Sequence, residues 1–250
     1  MRNTNRISIL MAIGNFQPIV GGAERQAQRL SCALSQLGTT VSVLTQAHPG
    51  LPECERIDGA EVYRLGRASG YWAIKLNRYI QWLAFLFQHR AQVDIVHAHQ
   101  PHSSAFVVGG LGKILDKPVV VKIPSPGSIR LFRRSKTGKL LFKLLTCITD
   151  VFIAPNSEIA EQLVDLGVSS HQIQKIPNCI NTRAIVPASF KEKAAERGKI
   201  GIRDTDVVLV FLGRLVPVKN LGYLIPIFRA MKADIECVPI KAKPRPRLPS

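Results

Sequence analysis

The sequence predicts an α/β fold: a parallel sheet with helices on both faces, followed by an incomplete second α/β domain. Three observations lead there. Short apolar runs alternate with longer stretches of helical periodicity, the pattern of strands joined by crossover helices. The chain is 46% hydrophobic but only 6% aromatic, an aliphatic balance that suits α/β layers better than a β-sandwich. At 250 residues it can bury one good core, and a second only in part.

The elements follow in order. Residues 7–13 form an apolar run too short for a membrane span and without a small-residue cleavage pattern, so they read as a buried first strand. Residues 14–22 are a loop. Residues 23–37 are a helix, with Ala27, Leu30, Leu34 and Leu37 at helical spacing and Gly38 as a left-handed cap. A second strand spans 41–45, and a shorter one spans 62–65 after a turn-rich stretch. Trp72, Leu76, Tyr79, Ile80, Leu83 and Phe87 mark an amphipathic helix. Residues 94–98 are a strand, 103–115 a helix, 118–123 a strand, 129–146 a basic amphipathic helix and 151–154 a strand. Residues 157–166 are a helix with Glu158 in its first turn, where the helix dipole favours negative charge, and Gly167 closes it. A strand over 173–176 ends the first domain.

Residues 1–180 are thus one domain and 181–205 an interdomain linker ending in a short helix. Residues 206–232 are the first strand and helix of a second domain: an apolar strand at 207–212, then a helix at 219–232 that Pro226 would kink. Residues 233–250, proline- and lysine-rich, read as a disordered tail.

The formal charge of +17 favours anionic partners, which include acidic membrane and phosphorylated substrates. Nucleic acid is not expected, because no recognition module accompanies the charge. Cys32, Cys54, Cys147, Cys179 and Cys237 are odd in number and form no CxxC pair, so a disulfide framework or zinc site is disfavoured and a reducing, cytoplasmic compartment is implied. Cys32 and Cys147 fall on apolar helix faces and read as small core residues.

Four features carry chemistry. Gly21 and Gly22 stand between the first strand and first helix, where glycine lets backbone approach a phosphate and a helix start attracts its charge. A tight turn is the plainer alternative. His97 and His99 end a strand at the same sheet edge, on one side of the sheet with Ala98 on the other. His99, nearer the edge, could meet a sugar hydroxyl or pass a proton, and His97 reads as the more structural. No carboxylate or cysteine beside them suggests a metal. Arg214 and Lys219 follow the apolar strand at 207–212 and suit a diphosphate, one as a planar fork and one as a point charge. From Lys117 to Thr149 there are eight basic residues and no acid, with Arg130, Arg133, Arg134 and Lys136 at the centre. That stretch fits either an anionic membrane or acceptor, or a helix packed on the sheet with a solvated outer face.

In combination these pieces resemble glycosyltransferase family 4: GGAE at residues 21–24, DIVHAH at 94–99, IAPNSE at 153–158, IPNCINT at 176–182 and FLGRLVPVKN at 211–220. The resemblance covers roughly residues 6–232. It implies a GT-B fold of two Rossmann-like domains, the first binding a saccharide or lipid-linked acceptor and the second a nucleotide-sugar donor. It implies sugar transfer with retention and no metal or other cofactor, in cell-surface polysaccharide or glycolipid synthesis at the inner face of a membrane. Gly22 then matches the glycine that approaches the donor diphosphate, His99 the catalytic histidine, and Arg214 and Lys219 the cations that neutralise the leaving group. Three departures accompany it. Cys179 replaces the usual glycine, the glutamate-rich donor motif is absent, and residues 236–250 look unrelated to the family. They imply a truncated or frameshifted chain that is inactive as it stands. The rival expectation is a non-catalytic acceptor- or membrane-binding module.

Overall fold

A computed structural model describes residues 6–67, 72–182, 185–203, 206–208, 211 and 220–230. It divides into two compact units, Met1–Thr182 and Arg183–Ser250.

The first unit is built on eight strands: β1 Ser8–Ala12, β2 Thr40–Ala47, β3 Cys54–Ile57, β4 Ala60–Arg67, β5 Ile95–Ala98, β6 Val119–Lys122, β7 Val151–Ala154 and β8 Ile173–Lys175. They lie in the order β3-β4-β2-β1-β5-β6-β7-β8. Every pair is parallel except β3 with β4. Between them run helices α1 Gly22–Gln36, α2 Trp72–Gln88, α3 Ser103–Ile114, α4 Arg130–Arg134, α5 Lys136–Ile148 and α6 Ser157–Asp165. The reversal from β2 to β5 around the central β1 is where open α/β sheets bind ligands, outside the carboxyl ends of the strands.

Strand alternation sorts the core onto two faces. Leu10, Ala12, Leu44, Val96, Ala98, Val119, Val121 and Phe152 pack with Trp82 and Leu86 of α2, Val108 of α3, Phe142 and Leu145 of α5 and Leu163 of α6. The intervening residues Met11, Val41, Val43 and Val62 pack on the opposite face with Ala27 of α1. Helix α3 approaches closely because Gly112 faces the sheet. A Cβ there would stand 3.0 Å from the Val96 Cγ2. Asp94 closes the start of the central strands, its Oδ2 accepting from the Ser8 N–H at 2.8 Å.

Three expectations need correction. The stretch before the strand expected at 62–65 is a hairpin, in which Asp58 (φ 48°) and Gly59 (φ 88°) join β3 to the longer β4. Two consecutive left-handed residues are what a two-residue hairpin with right-handed twist needs. The helix expected over 129–146 is two helices. Ser135 is extended (φ −138°, ψ 155°), and its hydroxyl accepts from the Gly138 N–H at 2.9 Å, so the residue caps α5 instead of continuing α4. Cys147 is exposed, because the inward face of α5 is already filled by Gly138, Phe142 and Leu145, and Cys32 is only half-buried beside the buried Ala27 and Ser31 of α1.

In the second unit, α7 spans Phe190–Lys199 and α8 spans Leu221–Ala230, with Pro226 inside it. Ser189 and Glu192 form a reciprocal capping box that starts α7. Half of the strand expected at 207–212 lies outside the described residues, and the other half, Val207, Val208 and Phe211, is not in a strand.

Candidate active site at the carboxyl edge of the sheet

The loop from β1 to α1 brings Gly21 and Gly22 to the carboxyl edge. Gly21 is the extended N-cap of α1, with no side-chain cap bond. The carboxylate of Glu24 folds back against Gly21, where a Cβ would collide with it. At Gly22 a Cβ would meet nothing within 4 Å, so the backbone there borders open space. That is the local geometry by which a helix start can receive an anion.

His99 follows the last residue of β5, and its N–H donates to the Ala12 carbonyl at 2.9 Å. The ring centroids of His97 and His99 lie 5.4 Å apart, and the register of His97 with Met11, which packs with Ala27, puts both on the α1 side of the sheet. His99 does not open to solvent as its place past the strand end suggested: it is 0% exposed, and His97 is 5% exposed. The Nε2 of His97 and both ring nitrogens of His99 have no hydrogen-bond partner among the described residues. Burial, and then Lys122, lower His97 to about 4. Burial, His97 and Lys122 hold His99 well below the ordinary value against an opposing contribution from the Ala23 backbone. Both rings are therefore neutral at pH 7, each with an acceptor nitrogen and a donor N–H.

Lys122 is the residue that sequence reading missed. Ala98 pairs with Val121, so the next step of the register sets Lys122 beside His99. The visible signal was a lysine ending an otherwise apolar strand. Lys122 is 6% exposed, and burial lowers its pKa, with the Cys179 thiol pulling the other way.

A polar network at the same edge was also missed. The Asn15 Oδ1 accepts from the Gln46 Nε2 at 2.6 Å and lies 3.0 Å from the His48 Nε2. Arg78 of α2 donates to the Gln46 Oε1 at 2.5 Å and to the Tyr79 hydroxyl at 2.9 Å, and that hydroxyl meets Ser103. Asn15 lies past the end of β1, while Gln46 and His48 lie at and just past the end of β2, the positions that a parallel sheet offers to ligands. The network thus joins one cation, Arg78, to neutral donors and acceptors bonded to one another, while the two histidine rings remain sealed from solvent.

Beyond Lys122, the basic stretch continues into the helices that follow β6. Arg130, Arg133, Arg134 and Lys136 are exposed on α4 and the start of α5, with Arg133 3.7 Å from Asp165. Arg214 and Lys219 lie outside the described residues. Among the described residues no group of histidine, cysteine and carboxylate side chains could hold a metal. Nor is any helix there long and apolar enough to cross a membrane.

Residues 20–184 match the model of Glycosyltransferase Family 4. An uncharacterised glycosyltransferase of Methanocaldococcus jannaschii is 27% identical, over 92% of this chain and 60% of its own length. Sucrose-phosphate synthase from Thermosynechococcus elongatus superposes with a TM-score of 0.69 at 18% identity, over 91% of this chain and 60% of its own. Anabaena HepE, solved with UDP and glucose, superposes with a TM-score of 0.65 at 16% identity, over 90% of this chain and 58% of its own. The chain thus spans about 60% of the length of these relatives. The shared fold is that of GT-B glycosyltransferases. Because the family match extends over more than half of the sequence, Gly21, Gly22, His97 and His99 included, the chain belongs to glycosyltransferase family 4.

Proposed function

We propose that this chain supplies the acceptor-binding half of a glycosyltransferase that moves a sugar, with retention, from a nucleotide sugar to a saccharide or lipid-linked acceptor. The observation that carries the reading is the convergence of Gly22, His97 and His99 at one carboxyl edge, within the residues of the family match. HepE was solved with UDP-glucose, which supports a nucleotide-sugar donor here.

The chemistry follows from charge. Breaking a sugar–phosphate bond builds negative charge on the departing diphosphate, and pre-placed donors that meet it lower the barrier. The open backbone at Gly22 and the start of α1 are suited to such a charge. Arg214 and Lys219 are the cations proposed to neutralise it. His99, neutral and with both ring nitrogens unpartnered, is the residue proposed to meet a sugar hydroxyl, which requires the edge to open around a ring that is buried in this structure. The glutamate-rich donor motif is not among these 250 residues, so residues 1–250 alone should transfer sugar slowly or not at all.

The test is transfer from a panel of nucleotide sugars, by the chain alone and fused to the donor domain of a family relative. The fusion should turn over, and His99→Ala in it should slow transfer by about a hundredfold. Transfer unaffected by that substitution would remove His99 from the mechanism.

A membrane acceptor is the version favoured by the outer face of α4 and α5. Leu140 is 60% exposed and Leu144 52% exposed, alongside exposed Leu141, Lys136, Lys139 and Lys143. A helix needed only to cover the sheet has no use for leucines on its solvent side, whereas leucines among lysines fit an anionic bilayer surface. Binding to anionic vesicles should weaken when Arg133, Arg134 and Lys136 become glutamine. Equal binding to neutral vesicles would exclude the electrostatic part.

A further inference from the structure

We infer that Arg78 is a specificity-determining residue that recognises an acidic group, a carboxylate or a phosphate, on the acceptor. The inference deepens the proposed function and rests on its assignment of the acceptor to this sheet edge.

Arg78 lies in the second turn of α2, which packs close to the end of β4 because Gly66 has no Cβ to collide with the Arg78 backbone. Its guanidinium is held on several sides, and by neutral groups alone. Nη1 donates to the Gln46 Oε1 at 2.5 Å and Nη2 to the Tyr79 hydroxyl at 2.9 Å. The Cζ stands 4.8 Å from the centroid of the Tyr79 ring and 5.9 Å from that of the buried Trp82. Gln46 is fixed in turn, its Nε2 donating to the Asn15 Oδ1. The Nε of Arg78 is buried without a partner, and no carboxylate among the described residues pairs with the side chain. A fold that used this side chain only as packing would do as well with an apolar one, which has no charge to desolvate. Here the charge is oriented and left uncompensated.

Its position decides what that charge meets. Arg78, Asn15, Gln46 and His48 are half-buried, unlike the sealed histidine rings, so the network borders solvent past the ends of β1 and β2. The Tyr79 hydroxyl also meets Ser103, where α3 starts with no side-chain cap and no acid in its first turn, which adds a field of the same sign. Each Nη keeps one uncommitted N–H, and a planar fork of that kind matches the oxygens of a carboxylate or a phosphate. A neutral hydroxyl in the same place leaves the charge unanswered, so the site discriminates by charge.

The test measures binding of glucuronate, glucose 6-phosphate and glucose to the full chain by NMR titration at equal ionic strength. One anionic sugar should bind about tenfold or more tighter than glucose, and the tighter of the two identifies the group as carboxylate or phosphate. Arg78→Gln should bring that preference below about twofold, and Arg78→Lys, which keeps the charge without the fork, should retain only part of it. Gln46→Glu is the second variant. It gives Arg78 an internal carboxylate, and Asn15 can turn its amide to donate to it, so the fold is kept and the preference cancelled with the arginine still present. A parent without an anionic preference, or a preference that survives either Arg78→Gln or Gln46→Glu, overturns the inference. Transfer to a neutral acceptor by the donor-domain fusion, unchanged in Arg78→Gln, would leave the proposed function standing without it.

Discussion

Mild acid should unfold the first unit through its buried histidines. His97 sits at about 4 in the fold, against about 6.5 for a free histidine, because burial and then Lys122 disfavour its charged form. In the unfolded chain it takes up a proton near 6.5, while in the folded chain it resists. The stability this contributes is therefore complete above pH 6.5 and is lost as pH falls towards 4. At about 1.4 kcal/mol per pH unit, the loss is about 2 kcal/mol at pH 5 and about 3 kcal/mol by pH 4. His99, His48 and His102 are also lowered, chiefly by burial, and add losses of the same sign. Urea unfolding followed by circular dichroism at pH 7.5, 6.5, 5.5 and 5.0 measures this, in a window where few carboxylates titrate. Against a total stability of about 5–15 kcal/mol, the drop is easily resolved. His97→Leu should flatten the profile by about 2 kcal/mol at pH 5. A stability that stays level from pH 7.5 to 5.0, or a slope that His97→Leu leaves unchanged, would refute the claim that these rings are held neutral by the fold.

Other positions give sharper local tests. Gly66 has φ 71°, and a Cβ there would collide with the backbone of Arg78. Gly66→Ala should therefore cost about 2 kcal/mol or more in chemical denaturation, whereas Gly22→Ala, with open space around it, should cost little. Arg64 is 1% exposed, 2.5 Å from the Glu55 carboxylate, and donates to the Pro52 and Gln17 carbonyls. Arg64→Met should cost about 3 kcal/mol, and Arg64→Lys should recover only part of that because one ammonium cannot reach all three acceptors. Asp150 is pushed up by burial but held below the usual carboxylate range by Lys113 and the Val119 N–H. Its contribution is present above pH 4 and fades as pH falls through its folded value, so Asp150→Asn should reduce the acid sensitivity below pH 4. Cys147 is exposed on α5, and in native protein a thiol reagent should modify it at a rate close to that of the unfolded chain.

Local periodicity and punctuation were enough to find β1, α1 with its Gly38 cap, β5, β7 and α6 with its closing Gly167, because each is specified by neighbours a few residues away. The glycine pair and the histidine pair were legible for the same reason: each stands at the carboxyl end of a strand recognisable from its own residues. The Asp58-Gly59 hairpin had a readable signal, but β3 is a short edge strand whose exposed residues alternate weakly, so it came into view only through pairing with β4. The break at Ser135 was hidden because α4 and α5 share one basic, apolar pattern, and the serine's capping bond is a three-residue event that periodicity averages away. Burial of His99 depended on α1 packing over that side of the sheet. Lys122 reached His99 through strand register, and Asn15, Gln46 and Arg78 met across β1, β2 and α2. Those neighbourhoods are sums of contacts between elements distant in the chain. The periodicity of each strand settles which residues face one side, but only the assembled sheet decides which of them become neighbours and whether water still reaches them.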